Sequence, residues 1–196
     1  MPESRSLGMA RGKVYPAGAA AHLVNPLRSL VQPPERIVRR MPLPEGGAVL
    51  ELGCGPGWFS PSIARAVDPG RFTICDLQSE MLELALARCG SRARPHAVRA
   101  DATRLPFAPA AFDAVLVSSM LGETGDLLGC LGEIARVLSP TGVVTIVETR
   151  RDSDFIRRSD LTTAAREAGL VRVARFGNRW EYTANFSHAA RPASPA

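Results

Sequence analysis

The sequence predicts a single α/β domain of three layers, in which helices cover both faces of a mostly parallel seven-stranded sheet. Short β-rich runs alternate with helical stretches along most of the chain, which is typical of parallel strands joined by crossover helices. The last two β-rich runs flank Gly177-Asn178, which predicts a C-terminal antiparallel hairpin. The length of 196 residues is enough for one domain with a substantial core.

Seven segments have the composition expected of strands. The first five are predicted to be parallel and the last two to form the hairpin: residues 48–52, 71–75, 96–99, 114–117, 143–148, 171–176 and 180–186.

Apolar residues at helical spacing predict helices between these strands. We expect one helix to begin at an N-cap provided by Ser60 and another to end at Gly90. Pro140 is expected to stop a third. The last helix is predicted to be capped by Asp160 and closed by Gly169.

The composition, with 45% hydrophobic and 22% charged residues, is that of an ordinary globular protein. The formal net charge is +5, but the arginines are scattered along the chain, which argues against a nucleic-acid partner. Lys13 is the only lysine, a preference typical of a GC-rich bacterial genome. We expect a cytoplasmic protein, because no apolar run reaches the ~18 residues of a membrane span and the first residues lack an apolar signal core.

The four cysteines, at positions 54, 75, 89 and 130, are widely separated and form no CxxC pair. No histidine stands near them at metal-ligand spacing, so we expect structural thiols in a reducing compartment and no metal site. A group of three or four cysteines around a thiophilic metalloid is the alternative.

A glycine-rich loop of sequence GCGPG, residues 53–57, follows the first strand and precedes a helix. A nucleoside cofactor that lies against the backbone at this end of a strand needs glycines, since side chains would block its approach. The dinucleotide fingerprint GxGxxG requires a third glycine at the position of Trp58. The loop therefore argues against a nicotinamide dinucleotide.

Two acidic residues follow in the order that an adenosine requires. Asp76 ends the second strand, where a carboxylate can accept hydrogen bonds from both ribose hydroxyls. Asp101 follows the third strand, where a carboxylate can accept from the adenine amino group. A helix cap or a solvated loop residue is the alternative for each of them.

Five segments resemble the successive signatures of class I S-adenosylmethionine-dependent methyltransferases: ELGCGPG, ICDLQSEML, RADATRLPF, FDAVLVSSML and RVLSPTG. They are similar in particular to the ubiquinone- and menaquinone-type methyltransferases. The stretch VYPAGAAAHLVNPLRSLVQPPERIV looks like the lead-in of small bacterial and archaeal members that lack a cap insertion. The resemblance implies a Rossmann-like fold, with S-adenosylmethionine as cofactor and S-adenosylhomocysteine as product.

The resemblance also implies which residues bind the cofactor. The glycine loop and Glu51 would surround its methionine end, Asp76 would hold the ribose with Gln78 beside it, and Asp101 would contact adenine. The complete predicted set is Glu51, Gly53, Cys54, Gly55, Gly57, Asp76, Leu77, Asp101, Ala102 and Ser118. Thr141 departs from the family, which usually has glycine in RVLSPTG, and is expected to alter only a turn.

The activity implied by the resemblance is transfer of a methyl group to a small-molecule acceptor by in-line SN2 displacement. A sulfonium already activates the methyl group, so the protein mainly aligns the acceptor and excludes water. A base is needed only if the acceptor is a hydroxyl, an acidic carbon or a protonated amine.

The domain itself is predicted to span residues 33–188, between a partly disordered N-terminal segment, residues 1–32, and a disordered tail, residues 189–196. Because the connection between the fifth strand and the last helix is short, a lid over the active site would have to come from the N-terminal segment. The pocket of so small a domain also leaves open a homodimer in which a neighbour completes it.

Five residues are candidates for the acceptor side. Tyr15 and His22 in the predicted lid, and Glu123 after the fourth strand, are candidate catalytic residues, with packed or solvated side chains as the alternative. Arg150 and Arg151 follow the fifth strand and would clamp a carboxylate or phosphate of the substrate. A solvated basic loop is the alternative for these arginines.

Other functions remain open at this stage. An RNA or protein methyltransferase is one alternative. The RNA enzyme would need an appended binding module or an aromatic and basic face, and neither is evident. A non-catalytic regulatory protein that binds S-adenosylmethionine or S-adenosylhomocysteine is favoured by the missing cap.

Overall fold

The computed structural model describes residues 15–16, 18, 20–25, 28–67, 71–91, 94–150 and 152–189. The strands found within these residues are β1 Val49–Leu52, β2 Phe72–Asp76, β3 His96–Arg99, β4 Phe112–Ser118, β5 Leu138–Thr149, β6 Leu170–Gly177 and β7 Glu181–His188. The α-helices are α1 Ala20–Leu23, α2 Arg28–Val31, α3 Pro34–Val38, α4 Ser60–Ala66, α5 Ser79–Cys89, α6 Leu127–Val137 and α7 Arg158–Glu167. A 3-10 turn, Leu121–Glu123, follows β4.

The seven strands form one sheet in the order β3-β2-β1-β4-β5-β7-β6. The first five are parallel, and β7 pairs antiparallel with both β5 and β6. Leu52, the last residue of β1, lies opposite Cys75 and Val117, so neighbouring parallel strands end at the same edge. The strand order reverses between β1 and β4, and in such sheets a crevice opens at that point. The predicted fold class is confirmed.

Helices pack on both faces of the sheet and give three layers with two apolar cores. One core includes Ile63 of α4, and the other includes Ile134 of α6 and Leu161 of α7. Successive β4 residues alternate between them, with Leu116 in the first and Val117 in the second, as the period of a strand requires. Full burial of each such side chain contributes about 1.5–3 kcal/mol.

The fifth strand is longer than the sequence predicts. It begins at Leu138, directly after α6, and so Pro140 and Thr141 lie inside the strand, where both are exposed. Proline favours an extended conformation in the residue before it, which explains why the helix stops short of it. The prediction that Thr141 alters a turn was wrong, because no turn separates α6 from β5.

The start of the last helix also differs from the prediction. Helix α7 begins at Arg158 after the N-cap residue Arg157, and Asp160 lies within the first turn. Its carboxylate is there favoured by the helix dipole without acting as the cap.

The predicted C-terminal hairpin is confirmed. Gly177 has a positive φ of 85°, and the Asn178 side-chain oxygen accepts a hydrogen bond from the backbone N–H of Trp180 at 2.8 Å. None of the helices in the described part of the chain combines the length and apolar character that a membrane span requires.

Candidate functional site

A cavity of ≈ 480 Å³ lies at the carboxyl edge of the parallel strands. Its volume falls within the range of about 300–1,000 Å³ that is common for small-molecule sites. The residues that line it follow β1 to β5 and include three from the N-terminal segment, Tyr15, Leu23 and Arg28. The sheet topology thus brings five consecutive strand ends together at one site.

Most of the predicted cofactor-binding residues meet here. Nine of the ten line the cavity: Glu51, Gly53, Cys54, Gly55, Asp76, Leu77, Asp101, Ala102 and Ser118. Gly57 does not line it. A Cβ on Gly57 would lie 2.7 Å from the Cα of Ala85, so this glycine allows the loop to pack against α5.

The glycine loop has the backbone conformation that its composition suggests. The φ angles of Gly53, Gly55 and Gly57 are +68°, +51° and +79°, which other residues adopt only at a cost. The carbonyl of Cys75 holds the loop, accepting hydrogen bonds from the N–H of Gly53 at 2.8 Å and of Cys54 at 3.1 Å. The loop therefore presents backbone to the cavity.

Asp76 is fixed by that same loop. One carboxylate oxygen accepts from the N–H of Gly55 at 2.8 Å, and the other accepts from the N–H of Gln78 at 3.0 Å. Burial raises the pKa of Asp76, while these hydrogen bonds oppose the change. An ionised carboxylate has about four acceptor positions, so capacity remains for two further donors.

Asp101 lines the cavity from a more exposed position. Its Oδ1 accepts from the backbone N–H of Thr103 at 2.8 Å and from the Thr103 hydroxyl at 2.7 Å, and these bonds lower the pKa of Asp101. These hydrogen bonds stabilise the turn after β3, and Asp101 lines the cavity from that turn.

Two groups at the ends of β1 and β4 are buried beside the cavity. Glu51 accepts a hydrogen bond from the Ser60 hydroxyl at 2.5 Å, and burial raises the pKa of Glu51 to about 8 against the opposing effect of that bond. The hydroxyl of Ser118 is buried and has no hydrogen-bond partner among the described residues. Such a group is a natural contact for a bound polar ligand.

The N-terminal segment is attached to two of the strand-end loops. The backbone N–H of Tyr15 donates to Oε2 of Glu123 at 3.0 Å, and the Tyr15 carbonyl accepts from the Gln78 side chain at 2.8 Å. Burial raises the pKa of Glu123 to about 7, partly offset by the Tyr15 bond. His22 is exposed and is not among the residues that line the cavity.

Arg28 was not singled out from the sequence, yet it lines the cavity. Its guanidinium lies 5.3 Å from the ring centroid of Trp58 and 5.8 Å from that of Phe59. It donates to the side chain of Gln32 at 2.9 Å and to the carbonyl of Leu23 at 2.8 Å. In the sequence, only the tryptophan directly after the glycine loop pointed to a contact between Arg28 and an aromatic ring.

Arg150 lies directly after β5, where a substrate-binding arginine was expected. Arg150 does not line the cavity, and its guanidinium lies over the rings of Phe155 and Trp180, at 5.9 and 5.8 Å from their centroids. Arg151 lies outside the described residues.

Acidic residues of the same connection line the cavity instead. Asp152 and Asp154 contribute to its wall together with Glu123, and burial raises the pKa of Asp152. The segment RRDSD contains both signs of charge, and its acidic side chains line the cavity whereas Arg150 does not. This part of the cavity is therefore acidic.

Comparison with known proteins relates the chain to one domain family. Residues 49–142 match the family model described as a methyltransferase domain. The chain is 34% identical over 116 residues to demethylmenaquinone methyltransferases of Staphylococcus aureus strains, covering 59% of this chain and 48% of those proteins. The chain thus spans about half the length of the curated relatives it matches.

Solved structures show the same fold over more of the chain. A SAM-dependent methyltransferase from Aquifex aeolicus superposes with a TM-score of 0.80 at 18% identity, covering 88% of this chain and 98% of that one. A TehB-like SAM-dependent methyltransferase from Corynebacterium glutamicum gives 0.69 at 18% identity, covering 89% and 100%. The [4+2]-cyclase SpnF gives 0.66 at 22% identity, covering 73% and 58%, so the fold is not confined to proteins named methyltransferases.

The matched segment runs from the start of β1 into β5 and contains the glycine loop, Asp76 and Asp101. S-adenosylmethionine is the cofactor of this class of domain. Residues 49–142 are thus similar to a methyltransferase domain, and the chain shares its fold with solved SAM-dependent methyltransferases.

Proposed function

We propose that this protein catalyses methyl transfer from S-adenosylmethionine to a small-molecule acceptor. The observation that carries the proposal is the Asp76 carboxylate, held by the Gly55 N–H within a cavity at the point where strand order reverses. This arrangement combines an open backbone surface with a buried acceptor of hydrogen bonds, which is what an adenosine ribose requires.

The residues of the cavity fit the cofactor. Asp76 retains acceptor capacity for ribose hydroxyls, and Asp101 with Ala102 would contact the adenine. At the other end, Glu51 and the glycine loop would surround the methionine portion. Bound S-adenosylmethionine supplies an activated methyl group on a sulfonium.

The chain's own contribution is to position the acceptor and to exclude water. Tyr15, Leu23 and Arg28 contribute to the cavity wall from the N-terminal segment, which supports a lid made of this segment. The bonds that join Tyr15 to Glu123 and to Gln78 would hold such a lid over the ends of β2 and β4.

Glu123 is our candidate for a general base. A carboxyl with a pKa of about 7 can accept a proton at neutral pH more readily than an ordinary glutamate, and it lines the cavity. A base is used only if the acceptor loses a proton during methylation. His22 and the Tyr15 phenol stay as predictions, and the hydrogen bonds of Tyr15 to Glu123 and Gln78 use its backbone.

The acidic part of the wall bears on the acceptor. Glu123, Asp152 and Asp154 would repel an anionic substrate, so we favour a neutral or cationic acceptor over the carboxylate or phosphate predicted from Arg150 and Arg151. A neutral, quinone-like acceptor, the class suggested by the names of the curated relatives, is compatible with this wall.

Calorimetric titration tests the cofactor assignment. We expect micromolar binding of S-adenosylmethionine and S-adenosylhomocysteine and no binding of NADH. Asp76→Asn should weaken binding about tenfold to hundredfold, because charge-assisted hydrogen bonds contribute about 1.5–3 kcal/mol. The matched control is Asp160→Asn in α7, away from the cavity, which should bind as the wild type does. Absence of binding by the wild-type protein would refute the proposal.

Turnover separates the enzyme from a non-catalytic binding protein. Candidate quinols, phenols, amines and thiols would be incubated with S-adenosylmethionine, and acceptor-dependent release of S-adenosylhomocysteine would be measured. A protein that binds both compounds but releases product with none of these acceptors would favour the regulatory alternative.

A further inference from the structure

The charges around the cavity are strongly unequal. Within the described residues, six carboxyl groups line it and Arg28 is the only basic side chain that does so. The six are Glu51, Asp76, Asp101, Glu123, Asp152 and Asp154. Any anionic group of a ligand in this cavity therefore has one cationic partner among the described side chains.

Arg28 is also placed to receive such a group. Its two hydrogen bonds, to Gln32 and to the carbonyl of Leu23, use two of the five N–H donors of a guanidinium. No carboxylate of the described residues forms a close ion pair with this half-buried guanidinium, and Asp152 and Glu181 attract it from a longer distance. Burial still disfavours the charged form, so an anionic ligand in direct contact would stabilise it further.

S-adenosylmethionine contains one anionic group. Adenine and ribose are neutral, and the sulfonium and the α-ammonium are positive, so only the α-carboxylate of the methionine portion is negative. The planar fork of a guanidinium matches a carboxylate in a bidentate pair.

We propose that Arg28 binds the α-carboxylate of the cofactor and thereby ties the N-terminal segment to the bound cofactor. The inference rests on the proposed function. It agrees with the position of Arg28, because Trp58 and Phe59 directly follow the glycine loop, and Leu23 lies 3.9 Å from where a Cβ of Gly55 would stand. The loop is the part of the site assigned to the methionine end.

The experiment removes either the carboxylate of the ligand or the guanidinium of the protein. S-adenosylhomocysteine is compared with S-adenosyl-3-thiopropylamine, which keeps the adenosine, the thioether and the amine but lacks the carboxylate. Both are titrated calorimetrically into the wild-type protein, Arg28→Gln and the control Arg65→Gln, whose arginine is exposed on α4. Circular dichroism and thermal unfolding verify that each variant is folded.

We expect the wild type and Arg65→Gln to bind S-adenosylhomocysteine about tenfold to hundredfold more tightly than the thiopropylamine. Arg28→Gln should lose that preference, through weaker binding of S-adenosylhomocysteine and nearly unchanged binding of the thiopropylamine. Arg28→Lys keeps the charge without the fork, so it should retain part of the preference, and it serves as the test if Arg28→Gln does not fold.

An equal loss of affinity for both ligands would show that Arg28 only supports the fold, and would overturn the inference. Unchanged preference in Arg28→Gln would overturn it as well. Failure of the wild type to bind either ligand would instead refute the proposed function and this inference with it.

Discussion

One wall of the cavity consists of the glycine loop after β1, Asp76 at the end of β2 and the turn after β3 that contains Asp101. We call it the strand-end wall. The remaining wall, here the lid wall, consists of Tyr15, Leu23 and Arg28 together with Glu123 and residues 152–154. Backbone hydrogen bonds between neighbouring strands hold the strand-end wall in place. The lid wall is held by contacts between segments that are distant in the sequence, such as the hydrogen bond from the Tyr15 N–H to the Glu123 side chain.

The difference teaches which contacts a local pattern can specify. Gly53 and Asp76 meet because their strands are parallel neighbours that end at one edge. Tyr15 and Glu123 are 108 positions apart, and no strand pairing brings them together. A motif therefore identified the first wall, while the second depends on the packing of the whole molecule.

The largest effect is expected at Gly57 in the strand-end wall's loop. Gly57→Ala should lower the free energy of unfolding by about 2–4 kcal/mol. The alanine would have to adopt a positive φ, and its Cβ would lie 2.7 Å from the Cα of Ala85. Gly169 has a similar φ of +82° but open space around its Cβ position, so Gly169→Ala should cost only about 1 kcal/mol. Urea unfolding measures both, and equal costs would show that the packing of the loop on α5 contributes little.

A smaller, pH-dependent effect is expected at Glu148, beneath the lid wall. Its Oε2 accepts from the Ile156 N–H at 3.3 Å, its Oε1 has no partner among the described residues, and burial raises the pKa of Glu148 to about 8. In the unfolded chain the group ionises near 4.5. Ionisation therefore favours unfolding increasingly between about pH 4.5 and 8 and fully above that range.

Glu148→Gln should consequently raise the free energy of unfolding by about 1–3 kcal/mol at pH 8.5 and hardly change it at pH 4.5. Glu51→Gln provides the comparison in the strand-end wall: it should also stabilise the free protein at pH 8.5, but it should weaken S-adenosylhomocysteine binding, which Glu148→Gln should not. Urea unfolding at both pH values, with calorimetry, tests this. A stabilisation by Glu148→Gln that is the same at both pH values would contradict the assigned titration.

The smallest effect is expected at Arg150. Its exposed guanidinium rests on Phe155 and Trp180 outside the cavity, and exposed cation–π contacts contribute about 0.5–1 kcal/mol. Arg150→Ala should therefore lower stability by less than about 1 kcal/mol and change S-adenosylhomocysteine affinity by less than about twofold. A clear loss of affinity would place this arginine in the lid wall after all.

The fold class, the hairpin and the residues of the strand-end wall could be predicted from the amino-acid sequence. Alternating patterns specify strands and crossover helices, parallel strands must end at one edge, and glycine is the residue that a positive φ demands. Nine of the ten predicted cofactor residues therefore line one cavity. The exception, Gly57, also has a positive φ, but it allows the loop to pack against α5 and does not line the cavity.

Only the tertiary structure decided which charged side chains reach the cavity. The segment RRDSD contains both signs of charge within five residues, and in the folded protein Asp152 and Asp154 line the cavity while Arg150 does not. Nothing in the sequence distinguishes Arg28 from the other arginines, and only the fold brings its guanidinium against the rings of Trp58 and Phe59. Likewise, the raised pKa of Glu123 comes from burial by segments remote in sequence. Side-chain burial depends on every element that packs around a residue, and no local pattern contains that information.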